Sequence, residues 1–162
     1  MPTMIRHGYT LFTTPSDREI ACTHIVEAPR ALVFDMHLRP ELVRQWMLGP
    51  EGWSMPVCEI DARPGGAWRY AWRRDNGSEM GMTGVFREIV RPTRLVYTEA
   101  WGGEWPETLN TVVFTEDAGR TSIITRVRYP TRRARDAVWG SGREEGWAQS
   151  YDRLDEILKS EL

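Results

Sequence analysis

The sequence predicts an α+β fold: a curved antiparallel β-sheet wrapped around a long C-terminal α-helix, with two short helices after the first strand. Three observations carry this. In Pro64-Gly65-Gly66-Ala67-Trp68-Arg69-Tyr70-Ala71-Trp72-Arg73, a glycine turn precedes aromatics at every second position. Successive strand side chains point to opposite faces, so Trp68, Tyr70 and Trp72 share one face. Further segments of strand length, separated by turn residues, imply an antiparallel meander. Near the end, Trp147, Tyr151, Leu154 and Leu158 follow i, i+4, i+7, i+11 spacing, one apolar helical stripe. That stripe must be buried, and the aromatic face of the sheet is its large partner.

The elements follow in order. Residues 1–18 read as an N-terminal arm of low pattern, broken at Thr13-Thr14-Pro15-Ser16, and residues 19–162 as a single domain. Glu19 to Val26 suits a first strand. Ala28-Pro29-Arg30 opens a helix through Leu38, since proline is tolerated in a first helical turn. A second short helix runs from Pro40 to Met47, closed by Gly49-Pro50. Strands are expected at 54–61, 66–74, 80–90, 94–101, 109–116 and 120–129. Arg63-Pro64-Gly65, Asp75-Asn76-Gly77, Arg91-Pro92 and Asp117-Ala118-Gly119 supply turn chemistry between them. A continuous helix is expected over 131–160, with Thr131 as its N-cap. Arg132-Arg133-Ala134-Arg135 reads as its solvated first turn, and Gly140-Ser141-Gly142 as a kink within it.

Composition excludes several classes. The chain has 162 residues, 41% hydrophobic and 27% charged, which suits one folded domain. A net charge of −2 gives no electrostatic reason to expect nucleic acid. Lys159 is the sole lysine among 21 basic residues, a skew that reads as genomic base composition. No apolar run approaches the roughly 20 residues that span a bilayer, and no signal-peptide core opens the chain. Cys22 and Cys58 are isolated, which fits a reducing compartment, so a cytoplasmic location is expected, with no membrane partner. His7, His24 and His37 lack metal-ligand spacing, so no metal and no cofactor is expected. No Gly-x-Ser-x-Gly elbow is present.

The chain resembles the activator-of-heat-shock-protein-90-ATPase homologue branch of the START-like (SRPBCC) superfamily. The resemblance rests on Pro15-Ser16-Asp17-Arg18-Glu19-Ile20, Ala28-Pro29-Arg30-Ala31-Leu32-Val33-Phe34-Asp35 and Gly49-Pro50-Glu51-Gly52-Trp53. It continues through Cys58-Glu59-Ile60-Asp61, Pro64-Gly65-Gly66, Arg87-Glu88-Ile89-Val90 and Leu95-Val96-Tyr97-Thr98-Glu99. It ends on Ala134-Arg135-Asp136-Ala137-Val138, Gly146-Trp147 and Ser150-Tyr151-Asp152-Arg153-Leu154-Asp155-Glu156. It implies a helix-grip fold with a cavity between the sheet and the C-terminal helix, as in single-domain bacterial members. Co-chaperones of that name carry a separate activating domain rich in asparagine and tryptophan. Only Asn76 and Asn110 occur here, so a chaperone partner is not expected.

Alternation selects the candidate site residues. Trp68, Tyr70, Trp72, Phe86, Tyr97 and Trp101 are expected to line the chamber, with Trp147 and Tyr151 closing it from the helix. A solid aromatic core, each buried ring contributing roughly 1.5–3 kcal/mol, is the competing reading; the resemblance favours a chamber of roughly 300–1,000 Å³. Glu88 shares a face with Phe86, and Glu99 with Tyr97 and Trp101, so both carboxylates are candidates for the chamber. There their pKa would rise. A β-bulge, a strand end or an arginine partner would instead return either to solvent, and a slip of one residue reverses the assignment. Relatives carry Ser-Gly-Met where this chain has Ser141-Gly142-Arg143. In a continuous helix Arg143 extends the buried stripe and needs Glu88, Glu99 or a ligand carboxylate as partner; a kink would turn it outward. Trp101-Gly102-Gly103-Glu104-Trp105-Pro106 reads as an entrance loop with aromatic lips.

The expected function is binding of a small hydrophobic or amphipathic molecule in that cavity, without chemistry of its own. The alternatives are a cyclase/aromatase-type enzyme using Glu88, Glu99, Tyr70 or Tyr97 in acid–base roles, and a protein-interaction or chaperone-associated module.

Overall fold

The structure is a computed structural model and describes residues 3–161. The chain opens with a hairpin, β1 (Met4–His7) and β2 (Thr10–Ser16), turned at Gly8 with φ +59°. This corrects the expectation of an unpatterned arm. Phe12 is fully buried and packs edge-on against Trp147, with ring centroids 5.4 Å apart. The misleading Pro15 sits where the β2–β3 register shifts, beyond the reach of β1, so its missing N–H breaks no ladder. β3 (Glu19–Val26) follows as expected.

α1 (Arg30–Leu38) starts after Pro29, and α2 (Pro40–Trp46) carries Pro40 in its first turn. Trp46 Nε1 donates to Met36 O at 2.9 Å and clasps the two helices together. The meander comprises β4 (Trp53–Ile60), β5 (Ala67–Arg74), β6 (Glu79–Val90), β7 (Arg94–Glu99), β8 (Thr108–Asp117) and β9 (Arg120–Arg128). Among the described residues these strands form one antiparallel sheet of nine, ordered β1-β2-β3-β9-β8-β7-β6-β5-β4. The expected strands agree with these bounds to within a residue or two. Arg126 and Arg128 point outward, Arg126 reaching Glu19 at 3.0 Å.

β6 is the long strand that joins the two parts of the sheet. Its first half pairs with β5 and its second with β7, with a register shift between Phe86 and Glu88. Gly84 sits at the changeover: a Cβ there would lie 1.9 Å from Thr98 O and 2.4 Å from Trp68 Nε1. Only glycine lets the indole and the neighbouring strand approach so closely.

The expected continuous C-terminal helix is instead two helices, α3 (Arg132–Val138) and α4 (Arg143–Glu161). Thr131 caps α3 as expected, its side chain accepting from Ala134 N. Gly140 (φ +76°) and Gly142 (φ +96°) then enter the left-handed region, which no continuous helix accommodates. In α3, Arg135 is not solvated. It is 7% exposed, donating to Ser16 O at 2.8 Å and to Asp136 Oδ1 at 2.8 Å.

α4 packs on α2, β1 and β2 through its apolar stripe, with Tyr151, Leu154 and Leu158 buried. Tyr151 stacks on His24 at 4.5 Å and lies parallel to Trp46 at 5.7 Å. Asp155 Oδ1 accepts from His24 Nε2 at 2.8 Å. No helix among the described residues is long and apolar enough to cross a membrane.

Candidate functional site

Because α4 grips one end of the sheet, the middle strands are left uncovered beneath its first turns. A hollow of about 1,150 Å³ results, somewhat larger than expected. Trp68, Tyr70 and Trp72 of β5 line it as the alternation requires, each buried, while Arg69 and Arg73 point away. Their rings form a continuous wall. Trp68 lies 4.7 Å from Tyr70 and meets Tyr97 edge-on at 5.7 Å; Tyr70 meets Trp72 at 5.8 Å; Phe86 meets Tyr97 at 6.2 Å. Trp72 Nε1 donates to Met47 O at 2.8 Å, tying this wall to the end of α2. Trp101, Glu99, Arg143, Trp147 and Tyr151 also line the hollow.

Glu88 does not. The register shift after Phe86 inserts one extra residue, so Glu88 turns to the opposite face, half-exposed, within 3.3 Å of Arg94 Nε. Its place among the candidates is corrected: the bulge separates it from Phe86, with which strict alternation grouped it.

Glu99 stays inside. Burial pushes its carboxyl up to about 7, opposed by the Trp101 Nε1–H bond at 3.2 Å and by the positive charge of Arg143. Its ionisation is therefore moved from the usual carboxylate range toward neutral pH. Burial also raises the phenols of Tyr70, Tyr97, Tyr129 and Tyr151, which remain hydrogen-bond donors. Burial lowers His37 to about 4, so its imidazole is neutral, with Nδ1 donating to Val33 O at 2.8 Å.

Arg143 does not extend the buried stripe; as the kink reading expected, it is exposed at the helix break, though it still edges the hollow. The helix break places it at the rim, with its guanidinium carbon 4.9 Å from the Trp101 ring and 4.3 Å from the Trp105 ring. The other face of the column continues inward, since Trp101 stacks on Trp72 at 6.0 Å with 15° between planes. The Trp101–Pro106 loop thus contacts α4 through both of its tryptophans. Gly102 and Gly103, both at positive φ, let the loop turn back.

Several lining groups were missed. Thr108, Asn110 and Thr125 add a polar strip on β8 and β9, with Asn110 Nδ2 donating to Thr108 Oγ1 at 3.0 Å. Alternation with Val112 and Val127 was the available signal. A row of Thr10, His24 and Asp155 also escaped notice, with Thr10 Oγ1 2.9 Å from His24 Nδ1. It has the residue order of an acyl-transfer triad, but Thr10 is 0% and His24 1% exposed, so no substrate reaches it. It is a strut between sheet and α4.

Fold and hollow together define an α+β helix-grip protein of the START-like (SRPBCC) class. The family model described as "Activator of Hsp90 ATPase homolog 1-like protein" matches residues 27–159, and the chain belongs to that family. A crystal structure of a Rhodobacter sphaeroides protein is similar at TM-score 0.86 and 28% identity, covering 92% of this chain and 97% of that one. A Nitrosomonas europaea protein shares the fold at TM-score 0.80 and 24% identity, covering 91% and 98%. The AHSA1-like protein of Aeromonas hydrophila does so at TM-score 0.70 and 17% identity, covering 86% and 93%. No curated protein matches the chain.

Proposed function

We propose that this protein binds a small apolar or amphipathic molecule in the hollow between β5–β9 and α4, and performs no chemistry on it. The observation that carries this reading is the hollow itself: about 1,150 Å³, walled by contiguous aromatic rings and edged by a few polar groups. Such a lining suits a guest with an apolar body and one or two polar ends. The ring edges and phenols orient it; the aromatic faces supply contact area.

Seven of the lining residues are tryptophans, so occupancy is readable directly. Planar aromatic compounds are expected to quench tryptophan emission saturably and to raise Tm, by about 2.7 kcal/mol of stabilisation at a concentration 100 times Kd. A broad library that produces neither effect sinks the reading. Native mass spectrometry of protein from its own host then identifies the resident molecule.

Glu99 favours one second reading, acid–base catalysis on a bound substrate, because a carboxyl held near neutrality serves as either acid or base. Glu99→Gln discriminates: loss of turnover with binding retained supports catalysis, whereas unchanged handling of the bound molecule supports binding alone.

A further inference from the structure

Arg143 is the group in the hollow whose chemistry the binding reading leaves unused. Two ring contacts, to Trp101 at 4.9 Å and Trp105 at 4.3 Å, hold its guanidinium at the rim. Cation–π contact engages the face of a guanidinium; its N–H donors lie in the plane and remain free. Among the described residues Arg143 has no hydrogen-bond or ion-pair partner, although Glu99, Glu104, Glu144 and Glu145 are near in the chain or the site and its charge is felt at Glu99. Glu99 accepts from Trp101 Nε1, Glu144 Oε1 accepts from Gly140 N at 2.7 Å, and Glu104 makes no ion pair. By contrast Arg135, the buried arginine of α3, has both a carboxylate and a carbonyl.

We infer that Arg143 is an anion anchor, and that the ligand is an amphipathic molecule with a planar apolar body and one carboxylate or sulfonate-like group. This deepens the binding reading and rests on it. The body lies against Trp72, Tyr70 and Trp68, and the anionic end meets the guanidinium at the rim. The two indoles act as positioning residues. They fix the guanidinium before the ligand arrives, so little side-chain freedom is lost on binding. Two parallel N–H bonds to one anionic group then give direction as well as strength.

The test uses two fluorescent probes with nearly the same aromatic body. 8-Anilinonaphthalene-1-sulfonate carries the anion and N-phenyl-1-naphthylamine does not. Arg143→Met keeps a flexible stem at an exposed position, and Arg69→Met, at a surface arginine facing away from the hollow, is the control. Arg143→Met is expected to weaken the sulfonate about ten-fold or more, the size of a lost charge-assisted bond, while the neutral probe changes less than about two-fold. Arg69→Met is expected to change neither. Equal losses for the two probes, or none for either, overturn the anion anchor and leave the binding reading standing. Absence of saturable binding of both probes to the wild-type protein overturns the binding reading, and the anchor with it.

Discussion

Glu99 is the residue whose environment matters most. Its carboxyl is protonated more readily in the folded protein, at about 7, than in the unfolded chain, at about 4.5. Between those values the native state holds more protons than the unfolded state, so this group's contribution to stability falls as pH rises through the window. Below it both states are protonated, and above it the buried charge persists as a cost on the order of 1–3 kcal/mol. Glu99→Gln is therefore expected to gain stability over the wild type at pH 8 and little at pH 5, read by urea denaturation at each pH. Parallel behaviour at both pH values would show that the carboxyl is not held in an apolar setting. Sequence alternation nominated Glu88 and Glu99 on equal terms. What separates them is a single extra residue in β6, whose position is set by how β6 pairs with β7, and local pattern does not report it. Arg143 was similarly ambiguous, because its surroundings come from a loop some 40 positions earlier in the chain, Trp101 to Trp105.

At the scale of elements, local chemistry was mostly sufficient. Strands β3 to β9 and helices α1 and α2 fall where alternation, glycine turns and proline starts put them. The exceptions are instructive. The α3–α4 break was visible as Gly140-Ser141-Gly142, but glycine only permits left-handed backbone, and tertiary packing decides whether it is used. Both glycines use it here, and a Cβ added to either would meet nothing within 4 Å. The cost of Gly142→Ala is thus purely one of backbone, about 1–2 kcal/mol. Ser141→Ala, whose side chain makes no hydrogen bond, is expected to be nearly neutral. Equal midpoints for the two variants in denaturant would mean that residue 142 is not left-handed.

At the scale of the molecule, the N-terminal hairpin belongs to the core. Its legibility was poor because β2 offers only Thr10 and Phe12 to the interior, too short an alternation to outweigh a proline. Phe12 is 0% exposed and touches Trp147, so Phe12→Ala is expected to lose about 3–5 kcal/mol, measured by urea unfolding. A loss below about 1 kcal/mol would restore the reading of residues 1–18 as a dispensable arm. The aromatic chamber was legible for the opposite reason: three rings on one strand leave few alternatives to a shared large surface.

The two ends of α4 carry different duties. From Tyr151 onward its apolar stripe is buried against the sheet and α2, joined there by the His24–Asp155 contact. Its first turn stands over the hollow, where Arg143 meets a loop rather than the sheet. Under the proposed binding function, substitutions at exposed Arg143 and in the Trp101–Pro106 loop are expected to alter the rim while leaving the buried Tyr151, Leu154 and Leu158 in place. Under that reading, selection acting on such a chain explores new guests at one end of a helix while the other end keeps the architecture constant.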